Sequence, residues 1–242
     1  MTIAGSRRAV PASGASAPVA AIRPLPASWE AVADLGGLPW ERVPDPLVLL
    51  RAEDATAPAQ PTMVRCGWSP EALWVHFDCM DAQPWATLRE RDAPLWTEEV
   101  VEVFLAAGES APERYVEIEI NPHGALFDAL ISNPGGERTA LAADPGFDWP
   151  GLRWAAGRSA TGWWGTLRLP WAGLPSAAGG PLLAPPSRLR ANFYRIDRPP
   201  GEPAEHSAWS PTFVTPADFH RPRRFGHLRL DGARRKARTR AR

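Results

Sequence analysis

The chain has 242 residues, 44% of them hydrophobic, with 27 basic and 27 acidic side chains. That is enough apolar material for a full core in one domain, and it excludes a chain too polar to fold. Residues 232–242 hold six basic and no acidic side chains, so the body before them carries 21 against 27 and is mildly acidic at −6. An acidic body argues against a nucleic-acid partner, and no stretch approaches the ~18 apolar residues of a membrane span.

Residues 1–22 are rich in Ala, Ser, Pro and Gly and read as a disordered leader, with no continuous apolar run to make a secretory signal. A single domain is expected over residues 23–231, followed by a disordered basic tail at 232–242. Leu47 to Arg51 is a short apolar run. TMVRCGW and LWVHFDCMD then flank the turn Ser69-Pro70-Glu71-Ala72 as a hairpin. With Trp68 facing Leu73, Cys66 faces Val75 and Cys79 faces Thr62. The thiols share a face but stand four ladder positions apart, roughly 13 Å at ~3.3 Å per residue. A disulfide needs Cα atoms within about 7 Å, so both are expected free and buried.

A helical turn is expected across Trp85 to Arg91. Glu99 to Ala106, Arg114 to Asn121 and Ala125 to Ile131 then read as three consecutive antiparallel strands. Residues 132–150 read as loop. Leu152 to Ala160 and Trp163 to Leu169 form another hairpin, and 173–187 is a long Gly- and Pro-rich connection. Arg188 to Asp197 is a strand, Trp209 to Val214 an irregular segment, and Phe225 to Asp231 the closing strand. About ten short strands with hardly any helical pattern predict an all-β fold, an antiparallel β-sandwich.

The strands around residue 100 carry the chemistry. Val101, Val103 and Leu105 fall on one parity, with Glu102 and Phe104 on the other. Val116, Ile118 and Ile120 likewise oppose Tyr115, Glu117, Glu119 and Asn121. Such alternation marks a sheet with one face on a core and one open to water or ligand. Paired, the two strands set several carboxylates beside aromatic rings. Saccharides ask for that mixture, since their C–H patches stack on aromatic planes and their hydroxyls bond to carboxylates, amides and Arg.

Three stretches also resemble carbohydrate-binding family 9-like domains. RDAPLWTEEVVEVFL (Arg91 to Leu105) and RYVEIEINPHG (Arg114 to Gly124) match its two carboxylate strands. NFYRID, WSP and FHRPRRFG, between Asn192 and Gly226, match its closing elements in order. With a weaker match at Thr62 to Asp81, the resemblance covers roughly residues 25 to 231. It implies a sandwich that binds a mono- or oligosaccharide without chemistry of its own, in support of carbohydrate catabolism. It also implies that Trp96 and Trp209 clamp the sugar, either of which could instead be core. Glu102 and Glu119 would accept hydroxyls from the open face. Asn192 and Arg195 belong to one motif but differ in parity, so only one of them is expected to line the site. Arg91 is a further candidate, with a structural ion pair as its other reading. Trp40, Trp68, Trp74, Trp154, Trp163 and Trp171 are expected to be structural.

Two other functions compete with this one. A glycoside hydrolase would need two carboxylates about 5–5.5 or 6.5–9.5 Å apart, and Glu98, Glu99, Glu102, Glu117 and Glu119 supply a pair by count. A haem-binding sandwich would need Met and His ligands, with only Met1, Met63 and Met80 to choose from. No cofactor is expected: members of the family can carry structural calcium, but no Asp-rich loop with coordinating spacing stands out. A monomer is expected. Free thiols and the missing signal favour the cytoplasm.

Overall fold

The computed structural model describes residues 16–176 and 180–233, so the expectations for residues 1–15 and 234–242 lie outside the described residues. Fourteen strands follow in chain order. They are β1 (Val19–Pro24), β2 (Leu47–Val48), β3 (Leu50–Arg51), β4 (Thr62–Trp68), β5 (Ala72–Met80), β6 (Val100–Ala107) and β7 (Arg114–Ile120). Then come β8 (Leu126–Ser132), β9 (Ala142–Asp144), β10 (Arg153–Ser159), β11 (Gly162–Pro170), β12 (Arg188–Asp197), β13 (Glu205–Ala208) and β14 (Gly226–Leu230). The helical residues described are short 3-10 turns.

The strands form two layers. One runs β14-β12-β6-β7-β8-β9, and the other runs β4-β5-β11-β10. Between them lies one apolar core. Val101, Val103, Leu105, Val116, Ile118, Ile120 and Phe193 meet Val64, Val75, Phe77, Trp163 and Leu167 there. The parity read from the sequence therefore holds on β6 and β7, where the aliphatic residues take the inner face. The Cys hairpin also has the expected register, with Cys66 opposite Val75 and Cys79 opposite Thr62. Both thiols are free and buried, and burial pushes the Cys79 thiol up to about 12.

Three expectations change. First, residues 19–22 are not leader but part of β1, which lies parallel to β14 on one side and to β4 on the other. The sandwich is thus mixed rather than purely antiparallel, and β1 joins its two layers along one edge. Its sequence hides it: VAAIRP has one large buried side chain, Ile22, and β1 is held by backbone pairing instead. Second, Trp85 to Arg91 forms no helical turn. The backbone amides of Thr87 and Leu88 donate to the Glu98 carboxylate, and that of Trp85 donates to Glu99. Side chains thus take the donors that a helix would have used internally. Third, residues 132–150 are not all loop, since β9 pairs with β8 at the sheet edge.

Arg195 and Trp209 both lie inside the sandwich, against the expectation that they line an open face. Arg195 is fully buried, pointing inward as its parity with Phe193 requires. Its guanidinium donates to Asp81 at 2.6 Å, to Asp197 at 3.1 Å, and to the Met80 carbonyl at 2.8 Å. The pair of carboxylates and the ladder carbonyl make it a brace between β12 and the end of β5. Trp209 is 8% exposed and packs with Phe193, ring centroids 5.8 Å apart. Its ring lies against Gly226, where a Cβ would stand 2.3 Å from the indole. The backbone of β14 comes that close only because residue 226 has no side chain.

Trp209 is therefore a core residue. Trp209→Ala should lower stability by about 3–5 kcal/mol, as large aromatic truncations in a core do. The measurement is the midpoint of urea unfolding, which should fall while the m-value stays unchanged.

Candidate functional site

Because the aliphatic parity of β6, β7 and β12 is committed to the core, the other parity must face outward. Glu102, Phe104, Tyr115, Glu117, Glu119 and Tyr194 therefore share the outer face of the first sheet. Register brings them side by side: Glu102 pairs with Glu119, Phe104 with Glu117, and Tyr194 with Glu102. Loops fold over this face and leave a cleft of about 370 Å³. Its floor includes Glu102, Phe104 and Glu117. Its walls bring in Trp96 from the loop before β6, Phe127 from β8, His206 from β13, and Phe219 with His220 from the segment after β13. Arg138 and Arg198 also line it.

The walls are aromatic and held in place. Trp96 is 44% exposed, and its ring meets Phe127 edge-on at 5.2 Å. The turn that carries Trp96 is fixed from below, since Arg198 donates to the Trp96 and Glu98 carbonyls. Opposite, Phe219 stacks on Tyr194 at 4.1 Å, and His206 meets its edge at 5.7 Å. The Tyr194 hydroxyl donates to the Phe219 carbonyl, which pins that loop to the sheet. His220 lies 2.8 Å from the Tyr115 hydroxyl and receives no charge there: burial, reinforced by Arg138, pushes its pKa down to about 4.

The floor is a cluster of three acids. Oxygens of Glu102, Glu117 and Glu119 all lie within 4.8 Å of one another, and all three residues are buried. Burial raises the Glu102 carboxyl well above its usual range, with the Glu117 charge adding to it. Burial raises Glu119 likewise, with Glu102 and Glu117 adding, and burial pushes Glu117 up to about 7. At neutral pH the floor thus holds protons and can donate as well as accept hydrogen bonds. A second acid group, Asp81, Glu99 and Asp197, surrounds Arg195 inside the sandwich. There the guanidinium already supplies positive charge.

Of the seven residues singled out from the sequence, two line this cleft: Trp96 and Glu102. Glu119 lies on the same face, behind them and fully buried. Asn192 also shares the face, but it is buried under the covering loop. Its amide donates to Tyr194 and to the Ser210 carbonyl, and its oxygen accepts from the Ser210 amide. It holds the loop rather than the cleft. Arg91 pairs with Asp128 and Asp148 and sits 5.9 Å from the Trp154 ring, its structural reading. Arg195 and Trp209 are inside the core, as described above. The wall facing Trp96 is built by Phe219 and His206 in place of a second indole.

Sequence reasoning passed over Phe127, Arg138, Arg198, His206 and Phe219 as site residues. Phe127 had a signal, since it stands on the third strand beside the carboxylate hairpin. Phe219 had one too, since it opens the FHRPRRFG motif, while Arg138 and Arg198 lie outside the strands and His206 sits on the short β13, where no alternation announces them. Larger depressions exist, among them one of about 730 Å³ around Gln60, Asp197 and Pro199 to Glu205, but no aromatic ring lines it. Met63 and Met80, the two described methionines, stand on β4 and β5 of the other sheet, and neither lines the cleft. A haem ligated by Met has no support there.

No family model matches the chain. Solved structures do resemble it. A candidate carbohydrate-binding protein from Bacteroides uniformis superposes with a TM-score of 0.64 at 16% identity, over 89% of this chain and 100% of that one. A carbohydrate-binding module of family 9 from Caldicellulosiruptor kristjanssonii, in complex with cellotriose, superposes at 0.59 and 14% identity, over 93% and 98%. A family 9 module from the same organism in complex with glucose gives 0.57 at 12% identity, over 91% and 99%. Among curated proteins, an extracellular protein of Arthroderma benhamiae is 27% identical over 92 residues. That match takes in 36% of this chain and 41% of the relative, so the chain spans less than half of it. The chain thus has the β-sandwich fold of family 9 carbohydrate-binding modules.

The neutral His220 has a measurable consequence. Its folded pKa, about 4, lies below the ordinary value of 6.5, so the unfolded chain binds the proton more tightly. Its contribution is complete above pH 6.5 and is lost as pH falls toward 4. Arg138 works with burial to depress it, and Asp218 works against them. The stability difference between parent and His220→Gln should therefore shrink by about 3 kcal/mol from pH 7 to pH 4. Urea unfolding of both proteins across that range checks it. A difference independent of pH would show that His220 titrates normally.

Proposed function

We propose that this protein binds a mono- or oligosaccharide non-covalently in the cleft over β6 and β7. One observation carries the reading: a half-exposed indole, Trp96, stands beside carboxyl groups buried in a cleft whose other walls are aromatic. The Trp96 face takes the C–H patch of a pyranose. Phe219 and His206 close the opposite side, and Glu102 and Glu117 meet hydroxyls from below. Arg138 contributes rim donors: its side chain is 66% exposed while paired with Asp218. A cleft of about 370 Å³ lies at the small end of ligand sites, which suits one or two sugar rings. The fold supports the same reading, since both ligand-bound neighbours carry a glucose-type saccharide, cellotriose or glucose.

Non-catalytic binding agrees with how the acids are placed. A glycosidase separates its proton donor from its nucleophile or base and keeps the second one ionised. Here the acids sit in one crowded, buried group on one side of the cleft, and burial first, with crowding adding to it, raises Glu102 and Glu119 together. Among the described residues, no carboxylate lines the facing wall, where Phe219, His206 and His220 are found.

Trp96→Ala should weaken saccharide binding by about 1–3 kcal/mol and leave the unfolding midpoint nearly unchanged, since the indole is half in water. A disaccharide of about 23 heavy atoms at ~0.3 kcal/mol per atom sets a ceiling near a dissociation constant of about 10 μM. Calorimetry against glucose and cello-oligosaccharides should therefore find binding between roughly 10 μM and 1 mM. The same mixtures, assayed for reducing ends over a day, should show no release. Release that disappears in Glu102→Gln would replace the binding reading with hydrolysis.

A further inference from the structure

The rim of the cleft carries a charge that the protein itself does not answer. Arg198 follows β12 directly, is half-buried and lines the cleft. Its Nε donates to the Glu98 carbonyl at 3.3 Å and its Nη2 to the Trp96 carbonyl at 3.1 Å. Those bonds engage two of the five N–H groups of a guanidinium and fix its place without neutralising it. Among the described residues, no carboxylate pairs with Arg198, and its Nη1 has no partner. Arg138, the other arginine of the rim, touches Asp218 at 3.3 Å, but Arg221 holds the same carboxylate at 2.9 Å. A neutral ring laid over Arg198 would take an unpaired cation out of water, at a cost. An anionic group in the same place would remove that cost and gain a charge-assisted pair.

The other groups of the cleft do not repel an anion. Two carboxyls line it, Glu102 and Glu117, both on the floor. Burial holds Glu102 protonated at neutral pH and pushes Glu117 up to about 7. A protonated carboxyl donates to an anionic oxygen, and such bonds are short and strong. Burial also lowers His206 and His220, so both are neutral on the wall. With Glu117 about half ionised, two arginines leave the lining net positive.

We propose that the cleft takes a saccharide bearing a carboxylate, a hexuronic acid as the ring stacked on Trp96, and that Arg198 is the residue that selects it. This deepens the saccharide reading and rests on it. The guanidinium is bonded to the backbone of Trp96 itself, so cation and indole belong to one rigid turn. A pyranose lays its C–H patch on an indole and turns its ring substituents to the periphery. A carboxylate at C5 of the stacked ring would meet the three free N–H groups of Arg198 there, with Arg138 as a second, more exposed cation. A neutral hexose has only a hydroxymethyl group at that position.

The test compares sugars that differ only at C6. Methyl β-glucoside and methyl β-glucuronide form one pair, and the methyl galactoside and galacturonide form another. Each is titrated by calorimetry into full-length protein at neutral pH and low ionic strength. At least one acid should bind at least tenfold tighter than its neutral parent, and the advantage should shrink in about 0.5 M salt. Arg198→Gln should bring the ratio of acid to neutral affinity close to one, Arg198→Lys should keep part of it, and Arg138→Gln should lower it less. A mere brace would behave differently: loosening the Trp96 turn weakens both members of a pair alike and leaves the ratio unchanged, which overturns the role of Arg198. Should Arg198→Gln not fold, the Lys variant and the wild-type ratios still decide. Acids that bind no better than their neutral parents overturn the inference and leave the saccharide reading standing. Failure of every sugar to bind, acid and neutral, overturns the saccharide reading and this inference with it.

Discussion

The pleat of β6 and β7 is the constraint from which the rest of the site follows. Val101, Val103, Leu105, Val116, Ile118 and Ile120 are all buried between the layers. Each such side chain contributes about 1.5–3 kcal/mol when taken from water. A one-residue slip of either strand would move its whole set outward and the acids inward, so register is fixed by far more energy than any ligand supplies. The carboxyls have no choice of face. Their crowding, their raised proton affinity and their place beside Phe104 are consequences of where the valines and isoleucines must go.

A sheet face so occupied cannot be left bare, and the chain covers it with loops tied down by side chains of the same parity. Tyr194 and Asn192 reach out from β12 to hold the carbonyls of Phe219 and Ser210. Glu98 and Glu99 hold the segment before Trp96 by its amides. Arg198 closes that loop from the other side. The cleft is what remains uncovered between two anchored loops. Its walls are therefore rigid in the direction that matters for stacking a ring, which limits the ordering a bound saccharide must impose.

This division explains what could be read from the sequence. The layers, the hairpin registers, the buried free thiols and the outward face of Glu102 were all legible, because each rests on period-two alternation within one or two strands. β1 was not, since its role is carried by backbone pairing that small alanines do not advertise. Trp85 to Arg91 misled because its pattern suggested a helix while Glu98 and Glu99, ten or more residues on, took its amides. Trp209 misled for a different reason. An indole before Ser-Pro looks like a mouth residue until Gly226, seventeen positions later, proves to make room for it. Contacts at that range leave no local signal.

The motif residues sort along the same line. Arg91, Asn192, Arg195 and Trp209 belong to the stretches that made the resemblance recognisable, yet each is engaged with the protein itself. Arg195 reaches Asp81 across the layers and Asp197 on its own strand, and Arg91 joins Asp128 on β8 to Asp148. Removing one partner of a buried pair strands a charge, which is costly enough to make such residues indispensable to the fold without touching a ligand. On the saccharide reading, the residues that would meet the ligand are Trp96, Glu102 and Phe219 from the motifs, together with His206, Arg138 and Arg198 around the rim. An ordered set of motifs of this kind therefore specifies the scaffold and part of each wall of the cleft. The wall opposite Trp96 presents a phenyl ring and an imidazole. Those rings offer a flat apolar surface with few hydrogen-bonding atoms. On the saccharide reading, discrimination among sugars would then fall to the acids of the floor and the arginines of the rim.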